Sequence, residues 1–96
     1  MPIKVIGLIQ LLDAEAFEIY RSQVGATVEK FGGTIAFRGN HLDTFWNELG
    51  CGSFNACVEL EFPSRDVAVE WAASDDYQRL LPVRNKAMAV TLFSVG

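Results

Sequence analysis

The chain has 96 residues, half of them hydrophobic and 11% aromatic, with 12 acidic against 8 basic side chains and a net charge of −4. That length gives one small domain, residues 1–96, whose core is too modest to absorb so many apolar side chains, so uncovered hydrophobic surface is expected. An acidic chain with scattered Lys and Arg excludes nucleic acid and an anionic membrane surface as partners, and no stretch approaches the ~20 apolar residues of a membrane helix.

Ile3 to Leu11 alternates, with Ile3, Val5, Ile9 and Leu11 on one side and Lys4, Ile6, Leu8 and Gln10 on the other, the pattern of a strand. Lys4, the run Val5–Leu12 and the Ala14-Glu15-Ala16 triplet imitate a secretion signal. Gln10 interrupts the run and cleavage would remove the first strand, so the chain is expected to be cytoplasmic. Asp13 then offers an N-cap. Phe17, Tyr20, Val24, Val28 and Phe31 recur at helical spacing, and Gly32-Gly33 ends the helix. Thr34 to Arg38 alternates again, with Ile35 and Phe37 on one side. Gly39-Asn40 marks a bulge or turn, after which His41 to Trp46 resumes the strand.

Residues 47–55 read as a loop. Ala56 to Phe62 is a third strand, with Val58, Leu60 and Phe62 facing one way and Cys57, Glu59 and Glu61 the other. Cys51 and Cys57 have no metal-ligand spacing, and neither a metal nor a cofactor is expected. Ser64 caps a second helix that packs through Val67, Ala68, Trp71 and Ala72. Ser74 caps a short third one, which Pro82 breaks or kinks at Leu81. Met88 to Val95 is the last strand.

The order βαββαβ with a helical appendage predicts a ferredoxin-like α+β sandwich, an antiparallel sheet with its helices on one face. The other face would carry Lys4, Ile6, Leu8 and Gln10 from the first strand and Arg38 from the second. Cys57, Glu59 and Glu61 from the third and Thr91 and Phe93 from the last complete it. This set is too apolar for water and too polar for a dry core. A second copy laid over it, enclosing a small partly polar cavity, satisfies both demands, so a homodimer is expected.

Tyr20, Gly32-Gly33 with Arg38-Gly39, "EFPS" at 61–64, Ala68 and Trp71, then Ser74, Tyr77-Gln78 and Arg84 cover nearly the whole chain. In their order and spacing the chain resembles the small uncharacterised bacterial proteins of the DUF1330 family. The resemblance implies a ferredoxin-like fold of the dimeric α/β-barrel kind and supplies no activity. It departs at Ala72, where the family often has a second aromatic, and in the longer segment "HLDTFWNELGCGSFN" at 41–55.

Within "SDDYQRLLPVR", residues 74–84, Tyr77, Leu80, Leu81 and Arg84 would share one face of an unbroken helix. On one reading they anchor the helix to the sheet, and Arg84 pairs with Glu59, Glu61 or a helix C-terminal carbonyl. On the other, Arg38 and Arg84 turn their guanidinium forks into the barrel mouth and hold the carboxylate of a small metabolite, with Trp71 and Tyr77 as wall and hydroxyl. His41, the one histidine, would act as a proton shuttle beside Asp43 or Glu61 if it faced the cavity. Glu59 and Glu61 project to one side of their strand, either as an acid/base pair or as a solvated, Lys4-paired face. The expected function is binding of a small carboxylate-bearing metabolite. The alternatives are a cofactor-independent isomerase or monooxygenase, and a structural module without a ligand.

Overall fold

The computed structural model describes residues 1–96. Its elements are β1 (Ile3–Leu11), α1 (Ala14–Lys30), β2 (Thr34–Asn40), β3 (Ala56–Phe62), α2 (Arg65–Ala73), α3 (Asp75–Gln78), α4 (Leu81–Ala87) and β4 (Met88–Val95). Local chemistry fixes most of the boundaries. Asp13 Oδ1 accepts from the Ala16 N–H at 2.9 Å, and Ser64 and Ser74 accept from Val67 and Tyr77 in the same N-cap geometry. Gly32, at φ +75°, turns the chain out of α1, and the Gly33 N–H closes onto the Val28 carbonyl at 3.0 Å.

Pro82 acts differently from expectation. It occupies the first turn of α4, where its missing N–H has no helical partner to lose, so it opens a helix that begins at Leu81. The break falls earlier, after Gln78, where the Arg79 and Leu80 amides close back onto Asp75 and Tyr77.

The strands lie in the order β2-β3-β1-β4, every neighbour antiparallel. Each crossover passes over one intervening strand, and this is the ferredoxin-like α+β arrangement. The registers set two faces. Ile3/Phe62, Val5/Leu60 and Gly7/Val58 turn toward the helices, while Lys4/Glu61, Ile6/Glu59 and Leu8/Cys57 turn away. On β4, Leu92 points toward the helices with Gly7, and Phe93 points away with Ile6. Val5, Leu60 and Phe62 pack with Val24 and Val28 of α1 and with Trp71, Tyr77 and Leu80 to form the core.

Gly7 sits where Val58 and Leu92 meet across β1. A Cβ there would come within 2.7 Å of Val58 Cγ1 and 3.0 Å of Leu92 Cδ2. Gly7→Ala is therefore expected to cost about 1–3 kcal/mol by overpacking. Urea denaturation should show a lower midpoint at an unchanged m-value.

Two features depart from the sequence pattern. β2 carries an irregularity between Ile35 and Phe37. Ile35 lies opposite Leu60, yet Phe37 lies opposite Glu59 and Arg38 opposite Val58. Ala36 is the extra residue, and it reverses the in–out phase of the rest of the strand. Phe37, 57% exposed, lies on the outer face, where its ring covers Gly39. Arg38 moves to the helix side, which corrects its expected place on the outer face.

The second departure is at His41, where the strand stops. Residues 41–55 form a loop tied at its base by Asn55, which accepts from the His41 N–H at 3.0 Å and donates to Ile9 at 2.8 Å. Leu42, Phe45, Trp46 and Leu49 on this loop are all more than four-fifths exposed. No helix is long and apolar enough to cross a membrane.

Candidate functional site

The Ala36 bulge opens the site. A cleft of about 270 Å³ lies between α1 and the helix-facing side of the sheet, with 11 of its 15 lining residues hydrophobic. Val24 and Phe17 come from α1, Ile35 from β2 and Val58 from β3, and Trp71 of α2 contributes from the core. The polar side chains in this apolar lining are Arg21, Arg38 and Asn40, and Tyr20 is the one hydroxyl-bearing residue among the 11. No Asp, Glu or His lines it. Arg21 leans on Glu18 at 3.4 Å and over the Phe17 ring. Arg38 forms no ion pair or side-chain hydrogen bond, so its guanidinium is free to meet an anion. The cleft thus lies inside one chain, on the helix side, rather than against the outer face where the strand pattern alone would put it.

The 74–84 stretch takes a third course. Tyr77 is 3% exposed, and its hydroxyl lies 3.0 Å from the Tyr20 hydroxyl and receives an N–H from Arg84 Nη1 at 3.0 Å. The Arg84 guanidinium also stacks over the Tyr77 ring at 5.7 Å. Arg84 does not reach Glu59, Glu61 or a helix C-terminal carbonyl. Its Nε is buried without an acceptor. The helix breaks between Tyr77 and Arg84, yet the two still meet, because α3 and α4 fold against the same side of the sheet.

Arg84 and Tyr77 line a second groove of about 320 Å³ beside β4, and Trp71 touches both hollows. Trp71 is 2% exposed, and its indole N–H donates to Thr27 Oγ1 at 3.0 Å. It is a shared floor, with its one donor already engaged. Arg38 and Arg84 therefore do not converge on one hollow. Tyr20 is the tyrosine among the residues lining the cleft. Along the sequence Tyr20 shows as a helix-stripe residue and as one of the positions that carry the family resemblance, and its contact with Tyr77 is hidden because that partner lies 57 positions away. Burial, followed by the neighbouring Tyr77, pushes the Tyr20 phenol well above the usual tyrosine range.

The acid/base candidates stay apart. His41 Nε2 is bonded to Thr44 Oγ1 at 2.7 Å, with the ring edge-on to Phe54, in the concavity of the 41–55 loop that Asp43 and Cys51 also line. Glu61 sits opposite Thr34 at the far end of β2, roughly 20 Å away along the strand. Within one chain, His41 and Glu61 form no pair. Glu59 is held by Lys4 at 2.7 Å. That hydrogen bond and the Glu59 charge raise the Lys4 ammonium pKa. Burial, then Glu59, raises that of the Cys57 thiol. No group of three or more His, Cys, Asp or Glu is placed to hold a metal ion.

Topology and register define a ferredoxin-like protein with an arginine-bearing cleft under its first helix. Residues 4–96 match the family described as Domain of unknown function (DUF1330), and the chain belongs to that family. No curated protein matches it. Among solved structures, RPA0582 of Rhodopseudomonas palustris, a protein of unknown function, superposes with a TM-score of 0.79 at 21% identity, over 98% of this chain and 80% of its own. SnoaB of Streptomyces nogalater, a cofactor-independent oxygenase, gives 0.69 at 9% identity, over 99% and 91%. A dimeric ferredoxin-like protein of unknown function from Thermobifida fusca gives 0.62 at 14%, over 100% and 91%. At these identities the likeness is one of fold.

Proposed function

We propose that the protein is a homodimer that binds a small, mostly apolar molecule bearing a carboxylate in the cleft under α1. The observation that carries this reading is Arg38, an unpaired guanidinium turned by the Ala36 bulge onto the rim of an apolar hollow. Arg21 adds a second cation, and no acidic side chain lines the cleft to oppose an anion. Binding stands ahead of turnover because neither a carboxylate nor an imidazole is there to move a proton. The isomerase or monooxygenase alternative rests on a likeness of fold to SnoaB.

The dimer reading is supported by the open outer face of the sheet and by solved structures of the same fold described as dimeric. The chain exposes 6347 Å², against roughly 5,500 Å² for a folded monomer of its mass. The excess of roughly 900 Å² is shared between the exposed 41–55 loop and the open outer face of the sheet. Ile6, Leu8, Phe37 and Phe93 on the outer face supply the apolar part of a dimer interface.

Calorimetric titration with 1-naphthoate tests the binding reading, alongside native mass spectrometry of the gently purified protein. Arg38→Ala is expected to weaken 1-naphthoate at least tenfold while leaving dimer mass and melting temperature unchanged. A wild type that neither binds 1-naphthoate nor carries a reproducible small mass would leave the structural-module alternative in place.

A further inference from the structure

We infer that the Tyr20 hydroxyl is a fixed hydrogen-bond donor inside the cleft, held in that role by Tyr77 and Arg84, and that it selects a ligand with an acceptor-only oxygen. This rests on the binding reading above and adds the chemistry by which the site would choose among ligands.

Proton direction decides the role. Tyr77 is 3% exposed, and its hydroxyl oxygen has two polar neighbours in the protein, Arg84 Nη1 and the Tyr20 hydroxyl. A guanidinium donates and never accepts. The Tyr77 proton therefore has one acceptor, the Tyr20 oxygen, and leaving it unmade would strand a buried donor. Tyr20 thus accepts within the protein, and its own proton has no acceptor there. Tyr20 is among the residues lining the cleft, and we assign its free proton to that side.

The row begins at a charge. Arg84 has no carboxylate partner, so its positive end polarises two hydroxyls in series toward the cleft. Burial keeps the Tyr20 phenol protonated, with the Arg84 charge opposing only in part. A carboxylate or carbonyl oxygen would satisfy this donor. An ammonium group would meet a proton with a proton, beside the Arg38 cation.

The chain has two tyrosines, so carbon-13 labelling at Cζ resolves both, with Tyr20→Phe and Tyr77→Phe assigning them. In the free wild type the Tyr77 hydroxyl proton is expected to exchange slowly with water and that of Tyr20 fast. Adding 1-naphthoate should shift Tyr20 and slow its exchange, and 1-methylnaphthalene should do neither. Tyr20→Phe is expected to weaken 1-naphthoate about tenfold or more and to leave 1-methylnaphthalene unchanged. Tyr77→Phe keeps the donor but loses the polarising row, so the loss should be a few-fold and confined to 1-naphthoate.

A slow Tyr20 proton beside a fast Tyr77 proton in the free protein overturns the inference, and this wild-type measurement holds if Tyr20→Phe fails to fold. Unchanged 1-naphthoate affinity in Tyr20→Phe, with Arg38→Ala still impaired, also overturns it and leaves the binding reading intact. A wild type that binds neither probe overturns both.

Discussion

Trp71→Ala is expected to remove about 3–5 kcal/mol of folding stability, the range for truncating a buried aromatic side chain. The ring is 2% exposed, with its centroid 5.2 Å from that of Phe62 and 4.5 Å from that of Tyr77. Truncation would empty the place where α2, α3 and the sheet meet, and would leave Thr27 without its indole donor. Against a total of about 5–15 kcal/mol for a small domain, the variant would sit at the edge of folding. Urea denaturation followed by far-ultraviolet circular dichroism measures the loss. Trp71→Phe restores most of the ring and gives up the N–H bond, and should cost about 1–2 kcal/mol. A cost under about 1 kcal/mol for Trp71→Ala would mean that the floor of the two hollows is not part of the core.

The second large effect falls on assembly. Ile6 lies between Glu59 and Phe93 on the outer face. Ile6→Glu would set a second carboxylate beside Glu59, whose one cationic partner, Lys4, is already engaged. In a face closed by another copy, that charge is buried without compensation, a loss of about 3–5 kcal/mol. The dimer dissociation constant is therefore expected to rise by roughly 100-fold or more. Sedimentation equilibrium should show it, with the circular dichroism spectrum unchanged because Ile6 is only half-buried in the single chain. A wild type that sediments as a monomer in dilute and concentrated solution alike would end the dimer reading.

How much of this structure is legible in the sequence depends on the range of each interaction. The caps at Asp13, Ser64 and Ser74 close hydrogen bonds three residues away, so each is visible in a short window. The faces of β1 and β3 are legible for the same reason, since a regular strand repeats every two residues. The bulge at Ala36 is a mismatch against β3, and nothing in "TIAFRGN" alone says which residue is the extra one. That single inserted residue exchanges Phe37 for Arg38 on the outer face and moves the candidate cation into a different hollow. Pro82 resembles a breaker because a proline at the start of one helix and at the end of another looks alike locally. The Tyr20–Tyr77 contact joins α1 to α3 across 57 positions, and only the packed fold brings it about.

The loop at 41–55 has a photophysical consequence. The chain holds two tryptophans, and they sit at opposite extremes, Trp46 at 83% exposure on the loop and Trp71 at 2% in the core. Emission from the folded protein is then a sum of a long-wavelength, iodide-quenchable component and a short-wavelength, protected one. Events at the loop change the first and unfolding of the core changes the second. Two processes that would otherwise need separate labels can be followed in one cuvette.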